Sequence, residues 1–171
     1  MTTTQAVYFR LVAGVSLLLL LLSIMASCQS YEPVYVVGLH CFADKNLDPS
    51  HFVQVVWDPM QSKQVQVYAN AFLGARRFYA GEVLTAPKGE KCGLRLYIDQ
   101  RGHNVWRQNI GQFRGSEFAV VVDGFYVGRT AFPTDFEVLT QVDLSPLWGR
   151  GEAERIVEHI EKNYLKLNHL E

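Results

Sequence analysis

The side chains that most often perform chemistry stand apart from one another in this sequence. No two of its five histidines have the His-Glu-x-x-His spacing that places two imidazoles on one metal ion; they are His40, His51, His103, His159 and His169. A Gly-x-Ser-x-Gly nucleophile turn, a P-loop and a dinucleotide fingerprint are also missing from the sequence. We therefore expect no metal, no cofactor and no enzymatic activity.

Asp123 is the carboxylate with the most distinctive surroundings. It precedes Gly124, and the pair separates the apolar run 117–122 from Phe125 and Tyr126. Asp and Gly are favoured in the two-residue turn of a β-hairpin, because both central residues of that turn take a positive φ. The sequence therefore predicts a structural role for Asp123 rather than a catalytic one.

Cys28 ends an apolar run that begins at Leu11. That run is short for a membrane span and is typical of an export signal. The residues Met25-Ala26-Ser27-Cys28 resemble a bacterial lipobox, in which the Cys becomes the acylated N-terminus. We predict a signal peptide over 1–27, lipidation at Cys28 and a short tether over 28–33. The alternative is a plain secretory signal that is cut after Ala26 or Ser27.

Cys41 and Cys92 remain as a pair if Cys28 is acylated. An extracytoplasmic compartment permits a disulfide between them. Two buried free thiols are the other interpretation, because free Cys is among the most buried residue types. The sequence leaves both open.

The remaining residues, 34–171, suffice for one domain with its own core. The formal net charge of −1 and the dispersed Lys and Arg residues argue against a nucleic-acid partner.

The periodicity of the apolar residues predicts the elements. Strands are expected over 34–42, 51–57, 64–68 and 92–98, whereas residues 76–84 give no clear signal. Three- and four-residue spacing predicts helices over 102–113, which Gly115 ends, and over 151–167. Between them lie strands 117–122, the hairpin partner from Phe125, and 136–144, which Ser145-Pro146 breaks.

This order predicts an α+β domain. We expect a mostly antiparallel sheet with two helices packed on one face, and a strand-helix-strand-strand-strand-helix order in the C-terminal half. Because successive side chains of a strand alternate in facing, one of Phe125 and Tyr126 should reach the surface. An exposed aromatic there would suit an apolar peptide-binding patch, although a core position is the alternative.

Residues 92–165 carry a family resemblance. A strand leads to Gly102, Trp106 follows four residues later, Gly115 lies 115 − 102 = 13 residues after Gly102, and the Asp123-Gly124 turn comes next. This spacing resembles the head subdomain of the first periplasmic domain of SecD, whose closing helix is similar to the segment around Ala153. Ile110, Gly128 and Thr130 depart from the family's usual residues.

The resemblance implies a free-standing version of a polypeptide-contacting head. We expect a non-enzymatic envelope lipoprotein, held on a membrane by its lipid anchor and facing the periplasm, that binds polypeptide and is accessory to protein export. The alternative is a structural or assembly module that docks on an envelope protein partner.

Overall fold

The structure is a computed structural model, and it describes residues 31–43, 53–85, 91–136 and 139–170. The predicted signal peptide 1–27, Cys28 and His51 lie outside these residues. Residues Pro33–Glu171 form one compact unit. Nine strands, a short 3₁₀ turn (Ala75–Arg77) and two helices make up its described part: β1 Val37–Cys41, β2 Val53–Asp58, β3 Lys63–Tyr68, β4 Leu73–Gly74, β5 Phe78–Thr85, β6 Lys91–Ile98, α1 Gln100–Phe113, β7 Glu117–Val122, β8 Phe125–Ala131, β9 Gln141–Gly149 and α2 Arg150–Leu167.

The predicted α+β class and the C-terminal element order are confirmed: β6, α1, β7, β8, β9 and α2 follow one another. The strands, however, form two sheets rather than one. The six-stranded sheet has the order β3-β2-β8-β7-β1-β4, and the three-stranded sheet has the order β5-β6-β9. All pairs are antiparallel except β2 and β8, which are parallel neighbours at Trp57 and Phe125.

The main hydrophobic core draws on both sheets and on both helices. Each sheet contributes every second residue of its strands, as the period of a strand requires. The helices contribute residues three or four positions apart. Its buried members include Leu39, Val120 and Val122 from the six-stranded sheet, Leu94, Leu96 and Val142 from the three-stranded sheet, Trp106 and Ile110 from α1, and Ala153, Ile156 and Ile160 from α2.

A second, smaller core lies on the opposite face of the six-stranded sheet. It contains Val56, Val67, Ala119, Val121 and Tyr126. This sheet curls, because Phe42 after β1 forms a bridge with Val67 of β3, and the Ala43 N–H donates to the Gln66 carbonyl over 3.1 Å.

Two glycines of the family resemblance, Gly102 and Gly115, have structural explanations. Asp99 caps α1, since its Oδ1 accepts the Gly102 N–H over 2.6 Å. A Cβ on the buried Gly102 would lie 3.1 Å from the Ile98 Cβ, so the helix start is packed closely on the strand before it. Gly115 ends α1 with a φ of 67°, a conformation that glycine adopts without strain.

Trp106, four residues after Gly102, is the centre of an aromatic cluster. Its ring lies 6.3 Å from Phe72, 6.0 Å from Phe118 and 5.6 Å from Phe132, measured between centroids. These separations are typical of packed aromatic pairs.

The predicted strand 136–144 was placed too early and ended too soon. β9 runs from Gln141 to Gly149, straight through Ser145-Pro146. Proline is tolerated there because β9 is the edge strand beside β6, and an edge strand need not donate every backbone N–H. The pairing of β6 and β9 is also irregular between Cys92 and Leu94, opposite this segment.

Candidate binding groove at the Asp123-Gly124 hairpin

The predicted hairpin is present, and its turn has the expected backbone. Asp123 has a φ of 49° and Gly124 a φ of 83°, so both central residues lie in the left-handed region. Val122 and Phe125 face each other across the turn. The two strands are therefore paired directly from the turn, and this pairing sets the backbone at Phe125 and Tyr126.

The structure exposes Phe125 and buries Tyr126, with 53% and 9% of their surfaces accessible. This alternation is what the sequence predicts for successive residues of a strand. Tyr126 packs in the second core, where its ring centroid lies 6.4 Å from that of Phe42. Burial raises the pKa of the Tyr126 phenol, so this side chain stays neutral. Of the two predicted surface residues, Phe125 alone is presented to solvent.

Asp123 also binds the segment that leads into β1, a role that sequence reasoning missed. Its two carboxylate oxygens accept the backbone N–H groups of Tyr35, over 2.9 Å, and of Val36, over 2.8 Å. The Asp123 N–H in turn donates to the Val36 carbonyl over 3.1 Å. Bonds to an ionised acceptor are stronger than neutral ones. Asp123 therefore fixes the entry of the chain into the domain.

Asn163 of α2 holds the same segment from the other side. Its side-chain amide donates to the Val34 carbonyl over 2.8 Å, and the residue is buried. A signal for this contact was present in the sequence, because Asn163 follows Ile156 and Ile160 on the apolar face of the helix. A polar residue at such a position is expected to have a partner.

An open groove of about 340 Å³ lies beside the hairpin. Most of its lining is apolar, and three charged residues, Lys91, Asp123 and Glu152, complete it. The lining residues that matter here are Tyr35, Pro59, Met60, Phe125, Val127 and Leu147. Val127 and Leu147 also pack against the main core. The groove is therefore a place where the main core opens to solvent between the two sheets.

Of the two alternatives for Cys41 and Cys92, the structure has the free thiols rather than the disulfide. Cys41 belongs to β1 and Cys92 to β6, which are strands of different sheets. Cys92 is buried and Cys41 is half-buried, and burial raises the pKa of the Cys41 thiol. Both therefore match the interpretation as packed thiols.

The described residues contain no cluster of three or more His, Cys, Asp or Glu side chains that could hold a metal ion. His40 is buried, and its Nδ1 lies 2.8 Å from the Tyr68 carbonyl oxygen, a contact that joins β1 to the end of β3. Burial lowers the pKa of His40. Among the described helices, neither is long and apolar enough to cross a membrane.

Comparison with solved structures identifies the fold. The chain is similar to SecDF in a super-membrane-facing form, with a TM-score of 0.54 and 12% sequence identity, over 74% of this chain and 18% of that one. It is also similar to SecDF described as a membrane component that enhances protein export, with a TM-score of 0.52 and 13% identity, over 75% and 63% of the two chains.

The chain thus has a SecD-head-like fold, as its glycine spacing predicted. It spans less than two thirds of each of these SecDF chains. No protein-family profile matches the chain, and no curated protein matches it by sequence.

Proposed function

We propose that this chain is an extracytoplasmic, non-enzymatic, lipid-anchored module that binds polypeptide segments and is accessory to protein export. In this proposal residues 1–27 direct export, Cys28 carries the acyl chains, residues 28–33 form the tether and residues 34–171 form the binding domain. The similar SecDF structure, described as enhancing protein export, supports the connection to export.

The apolar groove beside Phe125 is the observation that carries the binding proposal. A soluble domain ordinarily covers its core, and an apolar opening next to an exposed aromatic is typical of a surface for a partner. The Asp123-Gly124 turn and the register with Val122 fix the backbone of Phe125. A backbone that is already ordered loses little further conformational entropy when the surface binds a partner.

The chemistry of the groove favours apolar side chains of an unfolded segment. Tyr35, Met60, Val127 and Leu147 offer apolar surface, and burial of such surface contributes about 25 cal/mol per Å². Methionine adapts its shape to different partners. A groove of this composition suits many sequences rather than one, as an export-related module would need.

Photocrosslinking tests this function. A benzophenone amino acid replaces Phe125 in the full chain, and crosslinks are collected in cells during active secretion. We expect crosslinks to several secreted polypeptides. The matched control replaces Tyr79, an exposed aromatic on β5 in the other sheet, and we expect few crosslinks from it.

Two results would contradict the proposal. Crosslinks of equal yield from positions 125 and 79 would show that the groove has no preference for polypeptide. One envelope protein crosslinked in stoichiometric amount, and retained on native purification, would instead favour the structural or assembly role, since a fold can be reused without its relatives' function.

A further inference from the structure

An exposed apolar patch borders the groove on the six-stranded sheet. It consists of Val55 and Trp57 on β2 and Met60 in the turn that follows, with 50%, 45% and 81% of their surfaces accessible. Val55 and Trp57 are two residues apart and therefore share one face of the strand. Trp57 is also the register partner of Phe125, so the patch and the groove are adjacent.

Asp58 fixes the turn that carries Met60. Asp58 is buried, and its Oδ1 accepts the N–H groups of Met60, over 2.9 Å, and of Gln61, over 3.0 Å. Met60 is thus presented outward by a fixed backbone. Tryptophan beside exposed apolar residues is typical of a surface at a membrane–water interface.

The entry point of the chain places this patch near the predicted anchor. Val34 to Val36 are held by Asn163 and Asp123, and Tyr35 lines the same groove as Met60. Six residues lead from Cys28 to Val34. At full extension they span about 20 Å. A domain of this size has a radius of gyration of about 14 Å, so such a tether is shorter than the domain is wide.

We propose that Val55 and Trp57 contact the lipid surface, with Met60 at the boundary between this patch and the groove, and that they hold the domain on the bilayer with its groove open beside the membrane. This inference rests on the lipid anchor of the proposed function. An acyl chain and an apolar surface patch together anchor a protein more firmly than either does alone. The groove would then receive polypeptide at the membrane surface.

Tryptophan fluorescence tests the contact without an added probe. Trp106 and Trp148 are buried, whereas Trp57 is exposed. The mature acylated protein is reconstituted into phosphatidylcholine and phosphatidylglycerol vesicles that contain lipid brominated near the headgroup. We expect a loss of emission from Trp57, and this loss should disappear in Trp57→Phe and become smaller in Val55→Glu. The matched control is Tyr79→Trp in the Trp57→Phe background, whose added tryptophan should keep its emission.

Three results would overturn the inference. If Trp57 is not quenched in protein whose acyl mass has been verified, the lipid contact is wrong but the proposed function is unaffected. Crosslinks from a photoreactive residue at position 57 to secreted polypeptide would then show that the patch binds polypeptide instead. Equal quenching at positions 57 and 79 would show that no face is preferred. A mature protein without acyl mass would overturn this inference together with the anchor of the proposed function, while the crosslinking from position 125 would still report on polypeptide binding.

Discussion

At the scale of single residues, Asp123 combines two roles. Its positive φ forms the turn that exposes Phe125, and its carboxylate binds the backbone of Tyr35 and Val36. Asp tolerates the left-handed region better than most residues, and it can accept two hydrogen bonds at once. One residue therefore links the groove to the entry of the chain.

His40 should make stability depend on pH. Because burial lowers the pKa of His40 in the folded protein, the unfolded chain binds more protons below about pH 6.5, and the free energy of unfolding must fall as the pH falls. We expect urea denaturation to show lower stability near about pH 5 than near about pH 7.5.

The control for this prediction is His40→Gln, which keeps a donor for the Tyr68 carbonyl but does not titrate. The pH dependence should be weaker in this variant. An unchanged dependence would show that His40 is not its source.

At the scale of elements, the close approach of β6 to β9 determines how the three-stranded sheet packs. A Cβ on the buried Gly93 would collide with the Leu144 carbonyl oxygen, so no larger residue fits while the two strands stay paired. The irregular register between Cys92 and Leu94 lies at the same place. This irregular register lets β9 continue through Pro146.

Gly93→Ala should therefore lower the free energy of unfolding by about 1–3 kcal/mol, because one of the two strands must shift. Gly111→Ala is the matched control. Gly111 is exposed on α1, and a Cβ there meets only the Phe136 ring at 3.8 Å. That substitution should raise stability by about 0.5 kcal/mol through helix propensity. Chemical denaturation measures both, and a Gly93→Ala protein as stable as the parent would contradict the packing described.

At the scale of the whole molecule, two cores share one sheet. The main core joins the six-stranded sheet to the helices and to the three-stranded sheet. The second core is enclosed where the six-stranded sheet curls and Phe42, after β1, bridges to Val67 of β3. Cys41 and Cys92 sit on different sheets of this arrangement and contribute packing rather than a crosslink.

The intact mass of the mature protein should be the same with and without reductant, because both thiols are free. The same spectrum reports the anchor: the proposed lipoprotein should begin at Cys28 and carry the mass of its acyl chains. A loss of two hydrogen masses without reductant would reveal a disulfide. A mature protein that lacks acyl mass would contradict the lipid anchor.

Much of the fold could be predicted because its signals are local. The strand 117–122 matches β7 at both ends, and the predicted helices match α1 and α2 within two residues of their N-termini. Apolar periodicity and the Asp-Gly turn each involve only a few neighbouring residues, so they can be recognised from the sequence alone. The edge position that lets β9 run through Pro146 depends on strand order, which no local pattern encodes.

The candidate site divides in the same way. The sequence by itself determined the hairpin and the alternation that exposes one of Phe125 and Tyr126, because φ preferences and strand period are properties of neighbouring residues. Only the tertiary structure decided which aromatic is exposed, that Asp123 and Asn163 hold residues 34–36, and that β6 and β7 belong to different sheets. These outcomes depend on contacts between residues far apart in the chain, whose free energies compete only once the whole domain has formed.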